Sequence, residues 1–387
     1  MAQYTINTTH SSVFGMDVHA RTVTVCGIDR TVGEVRKRRF ANSPTPSEIA
    51  AWMQENFSAP HYAAYESGCT GFHLARELRA QGIDCDVVAV SSIARSADDR
   101  QSKNDSRDAS RLLSELISPM PTYTVVWVPD KPCEASRDLA RARADAVVAL
   151  KRAKQQLSAM LLRYGHSWSE KTKTGRLKKT WGREHWAWID GIRLEEAMAQ
   201  ETLEFYKQVV KECAERVSQV SALVRGHAGQ ARIKPYVDAL CCLKGIDTQT
   251  AFLAAAQFGD FSRFSNGRSV SKWLGVVPRE GSSGERQAHG RFTKAGDGHL
   301  RSSLLEGTGS LSRRSADMKR PKAGQVVSAE VIGICNKANR RLKGRYEHLT
   351  KESRLHVNKA RVAVTSELVR WCWVVGLAVQ KGQAVAP

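Results

Sequence analysis

The spacing of apolar residues changes character along the 387-residue chain, and each change predicts a different kind of element. Short apolar runs at 13–18, 22–28 and 35–40, with Asp29 and Gly33 between the last two, predict three antiparallel strands. Residues 47–56, behind Pro46, read as a helix, and 61–65 as a strand that stops at Glu66-Ser67-Gly68. A helix comes next at 70–80 with Leu74 and Leu78 on one face, then a strand at 86–90 and a helix at 106–117. Strands in series, then alternating strand and helix, predict an α/β domain over residues 1–118.

Beyond Glu134 the period lengthens. Leu139, Ala142, Ala146, Leu150, Ala153, Leu157 and Met160 recur at steps of three or four, and Tyr206, Val210, Cys213, Val217, Val220 and Val224 alternate four and three. Separated by the unpatterned stretch 166–191, these runs predict an antiparallel helical hairpin with an insertion at its tip, each run suiting a coiled-coil seam. Two amphipathic helices packed on a globular core would carry the same pattern. This region is assigned residues 119–232. In the third, 233–387, Leu240-Cys241-Cys242-Leu243-Lys244-Gly245-Ile246-Asp247 precedes a helical 248–258 and resembles half of a helix-hairpin-helix, whose turn offers backbone N–H groups to phosphate. A helix is predicted over 261–274, an irregular loop over the Gly-, Ser- and Arg-rich 276–298, and helices over most of 299–379. The third domain is therefore mostly α-helical.

Charge adds a partner to this outline. The chain has 59 Lys and Arg against 39 Asp and Glu, a net +20, which points to nucleic acid. Residues 1–116 are nearly neutral, with 13 basic and 14 acidic residues, so the basic surplus belongs to the remainder. The apolar stretch 361–379 contains Glu367 and Arg370, which argues against a membrane span. Residues 1–12 lack the basic start and apolar run of a signal peptide, so the cytosol is expected. Nine Cys with no C-x2-C pair support neither a disulfide framework nor a zinc module.

Four acids stand out. Asp17 and Glu66 end predicted strands, while Asp105 and Asp108 lie three apart at the start of a predicted helix and share a face. Singly, each could be a turn residue or a helix-dipole partner. Placed together, they would repel unless cations sat among them, and hard oxygen donors of this kind suit Mg²⁺ or Mn²⁺. Two such ions can stabilise the attacking and leaving oxygens of phosphodiester transfer.

At these residues the chain resembles a known family. Gly15-Met16-Asp17, Tyr65-Glu66-Ser67-Gly68 and Lys103-Asn104-Asp105-Ser106-Arg107-Asp108-Ala109 resemble the four-acid RuvC-like (RNase H-like) motif of insertion-sequence transposases described as bridge-RNA-guided recombinases. Leu243-Lys244-Gly245-Ile246 to Phe264, then Trp273-Leu274-Gly275-Val276-Val277-Pro278-Arg279 to Lys294-Ala295-Gly296, is similar to the family's C-terminal transposase domain. The family's Pro-Gly-Ile-Gly turn is here Lys244-Gly245-Ile246-Asp247, which puts a phosphate contact at that turn in doubt.

The resemblance implies an N-terminal RuvC-like domain and a serine nucleophile in the C-terminal domain. It places that serine in Gly281-Ser282-Ser283-Gly284, with Ser283 preferred and Ser282 the alternative. It further implies guidance of donor and target DNA by a structured bridge RNA, and a homo-oligomer, dimer or tetramer, in which one chain's acids meet another's serine. By residue type, Arg279, Arg286, Arg291 and Lys294 around the serine loop suit a scissile phosphate. In the hairpin insertion, Arg176, Lys178, Lys179 and Arg183 interleave with Trp181, a combination suited to RNA backbone and unstacked bases. Trp packed against the hairpin beside a solvated basic loop is the alternative there. The rival functions are a metal-dependent junction or structure-selective nuclease and a non-catalytic RNA-binding scaffold.

Overall fold

The computed structural model describes residues 9–89, 105–280, 289–312, 321 and 324–385. The chain divides into two compact units at Asp130. The first holds β1 (Ser12–Val18), β2 (Val23–Asp29), β3 (Glu34–Phe40), α1 (Pro46–Asn56), β4 (His61–Glu66), α2 (His73–Ala80), β5 (Asp84–Val88), α3 (Asp105–Ile117) and β6 (Val125–Val126). The sheet order is β3-β2-β1-β4-β5-β6. β1 pairs antiparallel with β2, and β2 with β3, whereas β1, β4 and β5 run parallel and β6 returns antiparallel. This mixed sheet is consistent with an RNase H-like domain.

The alternation of strand side chains creates two cores. Phe14, Met16, Ala63 and Tyr65 face α1 and α2, packing with Met53, Leu74 and Leu78. Val13, Tyr62 and Ala64 face the other way, onto Ala109, Leu112, Leu113 and Leu116 of α3. Gly15 lies on this second face, where an added Cβ would come within 2.5 Å of the Ala109 carbonyl oxygen and the Leu113 nitrogen. Its lack of a side chain lets the α3 backbone rest directly on β1. The edge strand β3 carries Arg36, Lys37, Arg38 and Arg39, exposed charges that discourage a further strand from pairing there. β6 lies beyond the expected boundary at residue 118, and its two residues are too short a run to signal a strand in sequence.

The second unit begins with α4 (Lys131–Arg163), α5 (Arg183–Gly191) and α6 (Ala197–Ala228). Arg143 Nε of α4 donates to Ser221 Oγ of α6 at 3.1 Å, while Leu157, Met160 and Leu161 cluster with Leu203 and Val210. Early α4 thus meets late α6, and the expected antiparallel hairpin is present. Its seam departs from the sequence pattern at Ala142, which is exposed, because Ala140 takes the inward position. The hairpin is not set apart from the C-terminal helices. Ala140, Val224 and Ala228 join the C-terminal core, and Arg137 donates to the Ala256 and Gln257 carbonyls at 3.0 and 2.9 Å.

That core is helical: α7 (Lys234–Leu240), α8 (Thr248–Phe258), α9 (Gly267–Leu274), α10 (Gly298–Thr308), α11 (Ala329–Glu347) and α12 (Val357–Val385). Two expectations need correction. Residues 261–274 are not one helix, because Asn266 caps α9 through the Arg268 and Ser269 amides and leaves Phe261–Arg263 as a separate turn. Residues 276–298 are not wholly irregular, because β7 (Pro278–Glu280) and β8 (His289–Phe292) pair antiparallel. By length and composition α12 could cross a membrane, yet Ala360, Val364, Leu368, Val369, Cys372 and Val375 lie in the C-terminal core.

The packing of the first unit sets two stability effects. Gly15→Val forces α3 off the sheet and should cost about 1–3 kcal/mol, the scale of overpacking, read as a lower urea midpoint. Asp29 accepts hydrogen bonds from Thr31 Oγ1 (2.5 Å), Ser58 N (2.8 Å) and Thr31 N (2.9 Å), and the Thr31 hydroxyl above all holds its carboxyl well below the usual range. A depressed pKa contributes stability above the unfolded value near pH ~4 and loses it as pH falls toward the folded one. The stability difference between wild type and Asp29→Asn should therefore be flat above that pH and shrink below it.

Candidate active site

β1 and β4 pair in parallel up to Met16 and Tyr65, so Asp17 and Glu66 are neighbours one step further along the two strands. Strand alternation assigns both to the α3 face, the one shared by Val13, Gly15, Tyr62 and Ala64. α3 presses on that face and brings its first turn to the same strand ends. Arg111, one turn further on, donates from Nη2 to Glu66 Oε1 at 2.9 Å and stands 3.4 Å from Asp108 Oδ1 through Nη1. Its Nε is buried and has no partner among the described residues. Asp17 Oδ2 lies 3.1 Å from His19 Nε2. The side chain of Asp105, at the head of α3, lies outside the described residues.

Three of the four expected acids therefore sit on one face, and two are joined through a guanidinium. Among the described residues no three His, Cys, Asp or Glu side chains stand close enough to hold an ion as they are placed. The donors nonetheless fit a hard cation chemically: they are carboxylates, partly shielded from water, and Asp17 and Glu66 are neighbours. Arg111 presently supplies the positive charge they need.

The serine hairpin has a well-defined base. Gly275 (φ +70°) and Gly296 (φ +68°) bring two backbones together, since a Cβ on the first would lie 2.2 Å from the Ala295 nitrogen and on the second 2.1 Å from the Trp273 oxygen. Lys294 N donates to Gly275 O at 3.2 Å and Thr293 N to Val277 O at 3.1 Å. Arg301 Nη1 spans the joint, donating to the Leu274 and Ala295 carbonyls at 2.7 and 2.6 Å. Arg279 and Arg291 lie on β7 and β8, but their side chains, together with Arg286, Ser282 and Ser283, fall outside the described residues. Lys294 is exposed at the base.

Comparison with known proteins accounts for both regions. Residues 14–166 match the DEDD transposase domain of IS110-type elements, and residues 237–323 match the family described as Transposase IS116/IS110/IS902. The chain is 33% identical over 318 residues to the protein y4qE of Sinorhizobium fredii, which bears a transposase name, covering 81% of this chain and 75% of that one. The chain belongs to the IS110/IS116 transposase family. It is also 27% identical, over 67% of its length and 73% of the relative's, to the transposase for insertion sequence element IS1533 of Leptospira borgpetersenii. A transposase of this family is a DNA-processing enzyme, and its DEDD domain implies dependence on a divalent ion.

Other expected contacts are redistributed in this transposase. Two amides of the turn at Lys244-Gly245-Ile246 are already used, since Lys244 N donates to Asn339 Oδ1 at 2.7 Å and Ile246 N to Leu243 O at 3.2 Å. Trp181 is not an open stacking platform. It packs on the hairpin tip, with the Lys154 ammonium 5.2 Å over its ring and the His185 ring 5.1 Å away. Lys178 lies 3.2 Å from Glu184 and 3.8 Å from Glu170, while Arg176, Lys179 and Arg183 are exposed. Sequence reading missed Arg111 and Arg301. The i, i+3 spacing of Asp108 and Arg111 was a usable signal for the first; nothing local marks the second.

Arg111→Met leaves Glu66 and Asp108 facing each other without their guanidinium and should cost roughly 1 kcal/mol in EDTA, the scale of one partly exposed pair. Thermal melts should then show a larger stabilisation by Mg²⁺ or Mn²⁺ in the variant than in wild type. Equal shifts in both proteins would mean that Arg111 and the ion do not share these acids.

Proposed function

We propose that this transposase is an RNA-guided DNA recombinase that moves an insertion sequence through a covalent serine–DNA intermediate. The observation that carries the reading is Asp17 beside Glu66 at neighbouring strand ends with Asp108 of α3 tied to Glu66 through Arg111, combined with a β7–β8 hairpin whose base is fixed by Gly275, Gly296 and Arg301. A hard divalent cation held by Asp17, Glu66, Asp105 and Asp108 would supply charge neutralisation at the scissile phosphate. Arg111 must release Glu66 and Asp108 for those acids to turn to it. Ser283, or Ser282 in the neighbouring register, attacks phosphorus. Its Oγ–P bond forms as one P–O ester bond of the strand breaks, its proton passes to a carboxylate of the acid site, and the leaving oxygen is freed for rejoining. The phosphodiester bond is conserved as a protein–DNA ester, so a new partner strand can be joined without an external energy source.

The basic surplus beyond residue 116 supports binding of a structured guide RNA together with donor and target DNA. Arg176, Lys179, Arg183 and Lys294 are exposed cations available for it. We take the hairpin of α4 and α6, its internal seam a coiled coil, as the element through which protomers assemble, one chain's acids completing another's serine site. The nine cysteines form no disulfide among the described residues, in keeping with work in the bacterial cytosol.

Trapping separates this reading from a metal-dependent nuclease. A nicked suicide substrate should accumulate DNA attached to the protein, mapping to Ser283, and Ser283→Ala should lose both adduct and strand exchange. Asp17→Asn or EDTA should stop strand exchange while leaving nucleic-acid binding unchanged. Cleavage by Ser283→Ala with no adduct in either protein would favour water attack, whereas an adduct on Ser282 would keep the mechanism and shift the register.

A further inference from the structure

Beneath the serine hairpin a groove of about 1110 Å³ runs between α11 and α12. That is above the roughly 300–1,000 Å³ typical of small-ligand pockets. Five cations line it: Lys294 at the hairpin base, Arg341 and Arg345 on α11, and Lys359 and Arg370 on α12. The acid among its lining residues is Glu367, largely buried, whose carboxylate is bound by the Arg341 Nε and lies 3.3 Å from the Arg345 Nε. Glu367 therefore organises two arginines and leaves the rim positive. Arg370 is fixed as well, donating from Nε to Ser271 Oγ at 2.9 Å.

The floor is of a different kind. Val276, Val362, Val374 and Trp371 give it an apolar surface, and the paired residues Pro278 and Phe292 close it at the hairpin end. Trp373, on the same helix, is tied by its indole N–H to the Phe261 carbonyl at 2.9 Å, which leaves Trp371 as the half-buried indole without such a tie. A cationic rim over an apolar, aromatic floor suits phosphates above and unstacked bases below. A duplex, whose bases are already stacked, would gain from the rim alone.

We infer that this groove holds a short unpaired segment of the DNA strand that enters the serine hairpin, with Arg341, Arg345 and Lys359 on its phosphates and Trp371 stacked on a base. The choice of DNA rests on the proposed role of the hairpin. The groove's affinity does not depend on that chemistry, so it is tested in EDTA, without cleavage.

The full-length protein is titrated with short oligothymidylate, oligouridylate and a duplex of equal length. Trp371→Leu should weaken oligothymidylate about tenfold, the scale of one lost stack, and leave the duplex unchanged. Arg345→Gln and Lys359→Gln, both at exposed positions, should weaken every ligand and each lower the salt slope for the single strand by about 0.7. Trp371→Phe, which keeps an aromatic face and the packing, should retain most of the affinity and guards against misfolding of the Leu variant. In wild type, an iododeoxyuridine-substituted strand should cross-link to the peptide containing Trp371. A cross-link that maps elsewhere, or equal loss of single strand and duplex in Trp371→Leu, overturns the proposal. Loss confined to oligouridylate overturns the DNA assignment and makes RNA the occupant. Failure of the serine adduct with these binding results intact would overturn the recombinase reading alone.

Discussion

The chemistry available to the first unit depends on how closely α3 lies on β1. Parallel pairing of β1 with β4 sets Asp17 beside Glu66, but two adjacent carboxylates at a strand end are only a repulsive pair. The start of α3 reaches the same face, and the separation of helix and sheet is decided at Gly15, under Ala109 and Leu113. Any other residue would hold the helix away by the width of a side chain. Arg111 depends on the same approach, because its reach from α3 to Glu66 is what offsets the repulsion among the acids.

The second unit uses close backbone contact for a different end. Gly275 and Gly296 pin the two roots of the serine hairpin together, and Arg301 fastens the joint. The surrounding frame is held by half-buried arginines at the end of α8. Arg137 caps the Ala256 and Gln257 carbonyls, and Arg263 those of Phe258 and Gln257. These are carbonyls at a helix C-terminus, where the partial negative charge favours a cation. Burial, with Arg137 nearby, pulls the Arg263 guanidinium down to about 10, which still leaves it charged at neutral pH. The helical hairpin is thereby anchored to the C-terminal helices.

Sequence pattern revealed what local physics controls. The strands and helices of the first unit, the two long helices and three acids on a common face all arise from side-chain period and strand ends. What it obscured was set by distant partners. β7 and β8, of three and four residues, are too short to show a strand period, and they pair because Gly275 and Gly296 close their base. The turn at Lys244 looked like a phosphate site because a Gly-containing turn before a helix has that form; Asn339, some ninety-five residues away, takes its amide instead. Trp181 lies among basic residues in the sequence, yet the tip of the hairpin needs apolar cover and recruits it.

The uneven charge of the chain acquires a structural reason from these contacts. A hard-oxygen site is vulnerable to its own protein's cations, since any lysine or arginine within reach competes with a metal for the carboxylates. The first unit is nearly balanced, and its densest basic run, Arg36 to Arg39, lies on the exposed edge strand. Arg111 does reach two of the acids, and it does so with its Nε lacking a partner among the described residues, a cost of about 1–3 kcal/mol that a departure from the site would relieve. In the second unit the logic reverses. There an acid serves to organise cations, as Glu367 does between Arg341 and Arg345, and as Asp190 and Glu204 do around the buried ammonium of Lys207. Burial alone would lower the Lys207 pKa, but the two carboxylates outweigh it and hold the amine charged. One unit thus sets a cation between two of its acids, and the other uses acids to hold positive charge in place, a division suited to a metal-dependent reaction on a polyanion.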